Sequence, residues 1–244
     1  MTPRERAIAA CEPFPVPRQM IVHFPNLIGR NAPGNDSTET HFTDEDLGEA
    51  IAMPASEAQL LHDIVLRASP FRLLEIGAYV GWSTAAMLEG LETWGGQILS
   101  VVDPFTESGC SATETEARFW ENLDRVQPGG FTLVFRGRSP ELLPIIKHRH
   151  GWDFAFIDGH HGGDQPLRDI QGLVPCLTDD AVVVLHDAWL AGVREAIDWL
   201  YAQGLACVEL PTANKMTICY RDHRPTWLDD IEAKAREYVA VANG

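Results

Sequence analysis

"RLLEIGAYVGWST", residues 72–84, decides the fold. Leu73, Leu74 and Ile76 make a short apolar run that reads as a buried strand, with the acid Glu75 inside it. Gly77 and Gly81 follow at the spacing E-x-G-x-x-x-G, and a helical pattern starts directly behind them. A strand that stops in a glycine turn at a helix N-terminus brings backbone N–H groups and a positive dipole end to one point, a place suited to a ligand. The spacing differs from the G-x-G-x-x-G of dinucleotide binding, and no GK[ST] phosphate loop is present.

Outward from this turn, apolar runs alternate with helical segments. The runs are "RLLEIG", "QILSVVD", "FTLVFRG", "DFAFIDG" and "AVVVLHD". Between them lie "WSTAAMLEGLE", "ETEARFWENLDRV", "PELLPIIKH" and "QPLRDIQGLVPCL". Continuous Val/Ile/Leu/Phe runs are strands buried on both faces, and the alternation predicts right-handed parallel crossovers. "ACVELP" and "KMTICYR" are joined by a connection too short for a crossover, which predicts an antiparallel pair. The expected architecture is α/β, a doubly wound, mostly parallel seven-stranded sheet with an antiparallel C-terminal strand. "ASEAQLLHDIVLRA" predicts a helix ahead of the first strand, with Ser56 as N-cap.

Three segments are expected: residues 1–54 as a Pro-rich extension serving as lid or dimer arm, 55–221 as the main domain, and 222–244 as a helical tail. A short helix is expected around Asp44 to Ala52, and "TESGCSATETEA" reads as a long polar loop.

Composition narrows the function. The chain has 244 residues, 45% of them hydrophobic, enough for a sizeable core. A formal charge of −16 argues against binding a nucleic-acid backbone. No apolar run reaches the length of a membrane span, and the N-terminus lacks a secretory h-region. Five scattered cysteines without a C-x-x-C predict reduced thiols and a cytoplasmic protein.

In a doubly wound sheet, ligands bind beyond the carboxyl ends of the strands. The polar residues there are Glu75, Asp103, Arg138 with Ser139, Asp158 with His160 and His161, and His186 with Asp187. Asp103 is placed to accept hydrogen bonds from the vicinal hydroxyls of a ribose, and Phe105 to cover an adenine face.

These motifs together resemble the class I S-adenosylmethionine-dependent methyltransferases. "RGRSPELLPIIK", "FAFIDGHHGGDQPLRDI" and "AVVVLHDA" are similar to the small O-methyltransferases of the catechol and caffeoyl-CoA type and to bacterial relatives that modify sugars and antibiotics. The resemblance implies that Glu75, Gly77, Gly81 and Ser83 surround the methionine part of the cofactor and that Asp103 holds its ribose. It places Ser139 near the adenine. Asp158 is implied in cofactor binding, in catalysis and as a metal ligand, with His161 as general base. Asp187 is the second metal-binding acid, and His186 replaces a further ligand. Where the catechol-type enzymes carry an Asn after that acid, this chain has Ala188. The implied partners are S-adenosylmethionine, Mg²⁺ or another divalent cation, a small hydroxylated acceptor and a second copy of the chain, with no nucleic acid and no membrane. A metal-independent N- or C-methylating or cyclising enzyme, or a non-catalytic binding protein, fits the same residues.

Overall fold

The computed structural model describes residues 53–91, 96–105, 112–124, 130–146 and 150–242. The expected lid or arm of residues 1–54 lies outside these apart from its last two positions, as do the expected helix near Asp44 and the first half of the polar loop after Phe105, whose second half, from Ala112, is helical instead.

Seven strands form one sheet in the order β3-β2-β1-β4-β5-β7-β6. They are β1 (Arg72–Ile76), β2 (Gln97–Asp103), β3 (Gly130–Arg136), β4 (Trp152–Ile157), β5 (Leu177–Leu185), β6 (Ala206–Glu209) and β7 (Thr217–Tyr220). The first five are parallel, and β7 runs antiparallel to both β5 and β6. The architecture is the one expected from the alternation of apolar runs.

The helices are α1 (Ala55–Ala68), α2 (Trp82–Gly90), α3 (Ala112–Leu123), α4 (Ser139–Ile146), α5 (Gln165–Leu173), α6 (Ala191–Ala202) and α7 (Leu228–Ala242). Strand periodicity sorts them into two layers. Leu73, Leu99, Val101, Phe154, Phe156, Val182 and Val184 face one way, under α1, α2, α3 and α7. Leu74, Ile76, Val102, Ala155, Ile157, Val183 and Leu185 face the other way, under α4, α5 and α6. Both faces are covered, which is why the parallel strands read as unbroken apolar runs.

Helix α1 is capped by the backbone of Pro54, whose carbonyl accepts from Glu57 and Ala58 N–H at 2.9 Å, so Ser56 lies inside the helix instead of capping it. Helix α7 packs on α1: Tyr238 Oη and Lys234 Nζ donate to Asp63 Oδ2 at 2.7 and 2.8 Å.

A further expectation is corrected. Cys207 and Cys219 form a disulfide, because the antiparallel register sets them directly opposite one another on β6 and β7, with Cα atoms 4.2 Å apart. Sequence separation does not show that register. Cys176 is a thiol that donates to Gly172 O, and Cys11 and Cys110 lie outside the described residues. Among the described residues no helix is long and apolar enough to cross a membrane.

Candidate functional site

The strand order reverses between β1 and β4, and a cavity of about 540 Å³ opens there beyond the carboxyl ends of the strands. It runs from the glycine turn after β1, past Asp103 and Ser139, to Asp158, His186 and Asp187.

The glycine turn is built by close approach. Gly77 has φ +86°, and a Cβ there would stand 2.3 Å from the carbonyl oxygen of Asp158, so only glycine lets the β1 and β4 loops meet. Gly81 also has φ positive, but it faces inward, where a Cβ would press on Phe119 and Leu123. Its side is packing, and it does not line the cavity.

Glu75 is fully buried beneath the turn. Ser83 Oγ and Thr84 Oγ1 donate to its two carboxyl oxygens at 2.5 and 2.6 Å, and it too does not reach the cavity wall. Burial, aided by the charges of Asp103 and Asp158, pushes its pKa up to about 8 despite those hydrogen bonds. Ser83 touches the cavity, but its hydroxyl is committed to Glu75.

Asp103 ties the turn together. Its Oδ2 accepts from the N–H groups of Ala78 and Tyr79 at 2.6 and 2.8 Å, and its Oδ1 accepts from Phe105 N–H at 2.5 Å. Phe105, with φ +54°, packs edge-on against Phe119 with ring centroids 5.4 Å apart. At the far wall, Ser139 Oγ and Gln165 Nε2 both donate to Asp169 Oδ1, the latter at 2.7 Å. Burial raises the Asp169 pKa to about 6.

The other half of the cavity concentrates charge. His161 Nε2 lies 3.3 Å from Asp158 Oδ1 and 3.4 Å from Asp187 Oδ2. It is buried and stands at ion-pair distance from both carboxylates, without a hydrogen bond of good geometry among the described residues. The ligand atoms of Asp158, His161 and Asp187 all lie within 4.8 Å of one another, a spacing that could hold a metal ion. Asp187 sits at φ +54°, and its Oδ1 accepts from Trp189 Nε1 at 3.1 Å.

His186 stands behind this triplet. Its Nδ1 is 3.1 Å from Asp158 Oδ1 and its Nε2 is 2.6 Å from Glu57 Oε2. Burial works against a charged ring, and the carboxylates around it more than offset this, raising the His186 pKa well above the usual imidazole value. For His161 the same balance of burial against Asp158 and Asp187 also ends in a raised pKa. Asp158 is desolvated, yet the adjacent histidines hold its pKa down at about 2.

The turn, Asp103, Ser139, Asp158, His161, His186 and Asp187 are thus brought to one cavity, while Glu75 and Gly81 support it from below. Sequence reading passed over Glu57, Asn214 and Asp169. Glu57 and Asp169 did carry a signal: each falls on the apolar stripe of its helix, Glu57 with Leu60, Leu61 and Ile64, and Asp169 with Pro166, Ile170 and Leu173.

Residues 74–188 match the family model described as "Methyltransferase domain". The chain is 30% identical over 128 residues to the O-methyltransferase hkm8 of Aspergillus hancockii; the match takes in 52% of this chain and 47% of that one, about half the length of that curated relative. The fold is also that of the O-methyltransferase TomG from Streptomyces achromogenes, involved in tomaymycin synthesis and solved with S-adenosylmethionine. That likeness has a TM-score of 0.57 at 16% identity, covering 84% of this chain and 92% of that one. An O-methyltransferase from Bacillus cereus, solved with S-adenosylhomocysteine, gives 0.56 at 16% identity, covering 76% and 94%.

Proposed function

Residues 74–188 being a methyltransferase domain on a Rossmann-like sheet, we propose that the chain transfers a methyl group from S-adenosylmethionine to a hydroxyl of a small metabolite, assisted by a divalent cation. The observation that carries the reading is the His161 ring nitrogen, buried within ion-pair distance of two carboxylates, in the same cavity as the glycine turn.

The residues fit both groups. Gly77, Asp103 and Ser139 line the half of the cavity suited to a nucleoside. When bound, S-adenosylmethionine supplies an activated methyl group to an in-line displacement. Asp158, His161 and Asp187 would hold the cation, whose chemistry is to lower the pKa of a hydroxyl. Local charge agrees. Both ring nitrogens of His186 face carboxylates, and with His161 beside them the three acids Glu57, Asp158 and Asp187 outnumber the two imidazoles at this end of the cavity. One nitrogen and two oxygens favour Mn²⁺, Fe²⁺ or Zn²⁺ over Mg²⁺.

The chain's own part is positional. The turn held by Asp103 fixes one reactant, and Asp158 with Asp187 fixes the other within reach; such alignment lowers the barrier of a displacement with little covalent work left to the protein. A second reading rests on the same nitrogen: without a cation, His161 Nε2 accepts the proton of the acceptor hydroxyl directly, with Asp158 stabilising the charged ring.

The deciding experiment is a methyl-transfer assay over a panel of phenols, catechols and sugars, with and without chelator. Loss of turnover in chelator, restored best by Mn²⁺, supports the first reading. Full turnover in chelator moves His161 to the role of base. Cofactor binding without product across the panel removes the enzymatic assignment.

A further inference from the structure

Glu57 lies on α1, ahead of the matched domain, and is almost wholly buried, as is His186. Its position on the helix belongs to an apolar stripe with Leu60, Leu61 and Ile64, all fully buried. A leucine there would pack without desolvating a charge, and buried ion pairs rarely stabilise a fold more than apolar residues of the same volume. The carboxylate therefore calls for a reason beyond stability.

Its contacts give one. Glu57 Oε2 lies 2.6 Å from His186 Nε2, and the opposite ring nitrogen lies 3.1 Å from Asp158 Oδ1. Asn214, in the connection between β6 and β7, donates to Glu57 from its backbone N–H at 2.7 Å and from its side-chain amide at 3.1 Å. The result is a line of hydrogen-bonded groups, Asn214 to Glu57 to His186 to Asp158, that starts outside the domain and ends at an oxygen beside His161 Nε2.

We infer that Glu57 is a positioning residue for the site. It locks the His186 ring, the ring locks the Asp158 carboxylate, and Asn214 holds Glu57 in place. The inference rests on the proposal that Asp158, His161 and Asp187 hold the cation. With one lone pair of Asp158 Oδ1 committed to His186, the other is left aimed at the cation, the usual task of groups standing behind a metal's ligands. Helix α1 and the β6–β7 connection thereby become parts of the site, although both lie outside residues 74–188.

The test is calorimetric titration of the full-length chain with Mn²⁺ alone, followed by S-adenosylhomocysteine as a control. Glu57→Ala should weaken Mn²⁺ about 10- to 100-fold, the range for losing a group behind a metal ligand, while leaving S-adenosylhomocysteine affinity unchanged. Asn214→Ala, which leaves the buried carboxylate in place, should give a smaller loss in the same direction and keeps the test valid if Glu57→Ala does not fold. Folded variants with wild-type Mn²⁺ affinity overturn the inference. If the wild type itself takes up no Mn²⁺, the cation assignment fails, and the positioning claim is read from histidine ¹⁵N NMR of the cation-free protein. Asn214→Ala and Glu57→Ala should then shift the ring nitrogens of His161 as well as His186, because Asp158 lies between them. An unmoved His161 overturns the claim.

Discussion

The two halves of the cavity are built on opposite plans. In the glycine-turn half, carboxylates are already satisfied: Asp103 by three backbone N–H groups, Glu75 by two hydroxyls, Asp169 by Ser139 and Gln165. In the other half, Asp158 and Asp187 flank a histidine nitrogen at ion-pair distance, without a hydrogen bond of good geometry among the described residues. The first half is finished by folding, and on the proposed reading its shape binds the cofactor. The second gathers more acids than imidazoles, and on the proposed reading a cation completes it. That contrast teaches where to expect losses of chemistry and where to expect losses of binding and stability.

The sharpest break is Asp158→Asn. It keeps the shape and removes the charge between His161 and His186. Because acid–base and metal assistance each contribute about 10²- to 10⁴-fold, methyl-transfer kcat should fall by about that much. Affinity for S-adenosylhomocysteine, measured by calorimetry, should stay close to wild type. Near-normal turnover in the variant would erase the distinction between the halves.

Asp103→Ala probes the finished half and should act the other way. Three N–H groups of the turn lose their acceptor, and each buried donor left unpaired costs about 1–3 kcal/mol. The turn should loosen, S-adenosylhomocysteine should bind at least about 10-fold more weakly, and the thermal midpoint should drop. The acceptor dependence of whatever turnover remains should change little. A variant that binds the cofactor product normally would show that the turn does not need its carboxylate clasp.

The difference between the halves also explains what was legible in the sequence. Parallel strands covered on both faces leave long apolar runs, so the sheet, its crossovers and the antiparallel β7 could be read directly. The strand-end acids could be read because the fold puts every strand end at one edge. Which of them face the cavity could not: Glu75 and Asp103 both lie at strand ends, yet one points down onto Ser83 and Thr84 and the other lines the cavity. Glu57 meets His186 across 129 residues of chain and Asn214 meets Glu57 across 157, and contacts so far apart leave no local pattern. An acid on an apolar helix stripe was the one trace of them. The disulfide was hidden for the same reason, since it depends on register.

Glu75 offers the most selective test, because it supports the turn without touching the cavity. Its pKa is raised from 4.5 in the open chain to about 8 in the fold, so the folded protein binds its proton more tightly than the unfolded one. The stability linked to that proton is fully present below about pH 4.5 and is lost as pH rises through about 8. Across that window the slope approaches one proton, about 1.4 kcal/mol per pH unit. Glu75→Gln keeps a neutral group between Ser83 and Thr84 and removes the titration. Turnover at neutral pH should be unchanged. In urea unfolding at pH 5, 6.5 and 8, the variant should gain on the wild type at each step, since all other titrating groups are common to both. Parallel stability curves would mean that Glu75 ionises in the fold as easily as in water, and that the glycine-turn half is wetter than its hydrogen bonds imply.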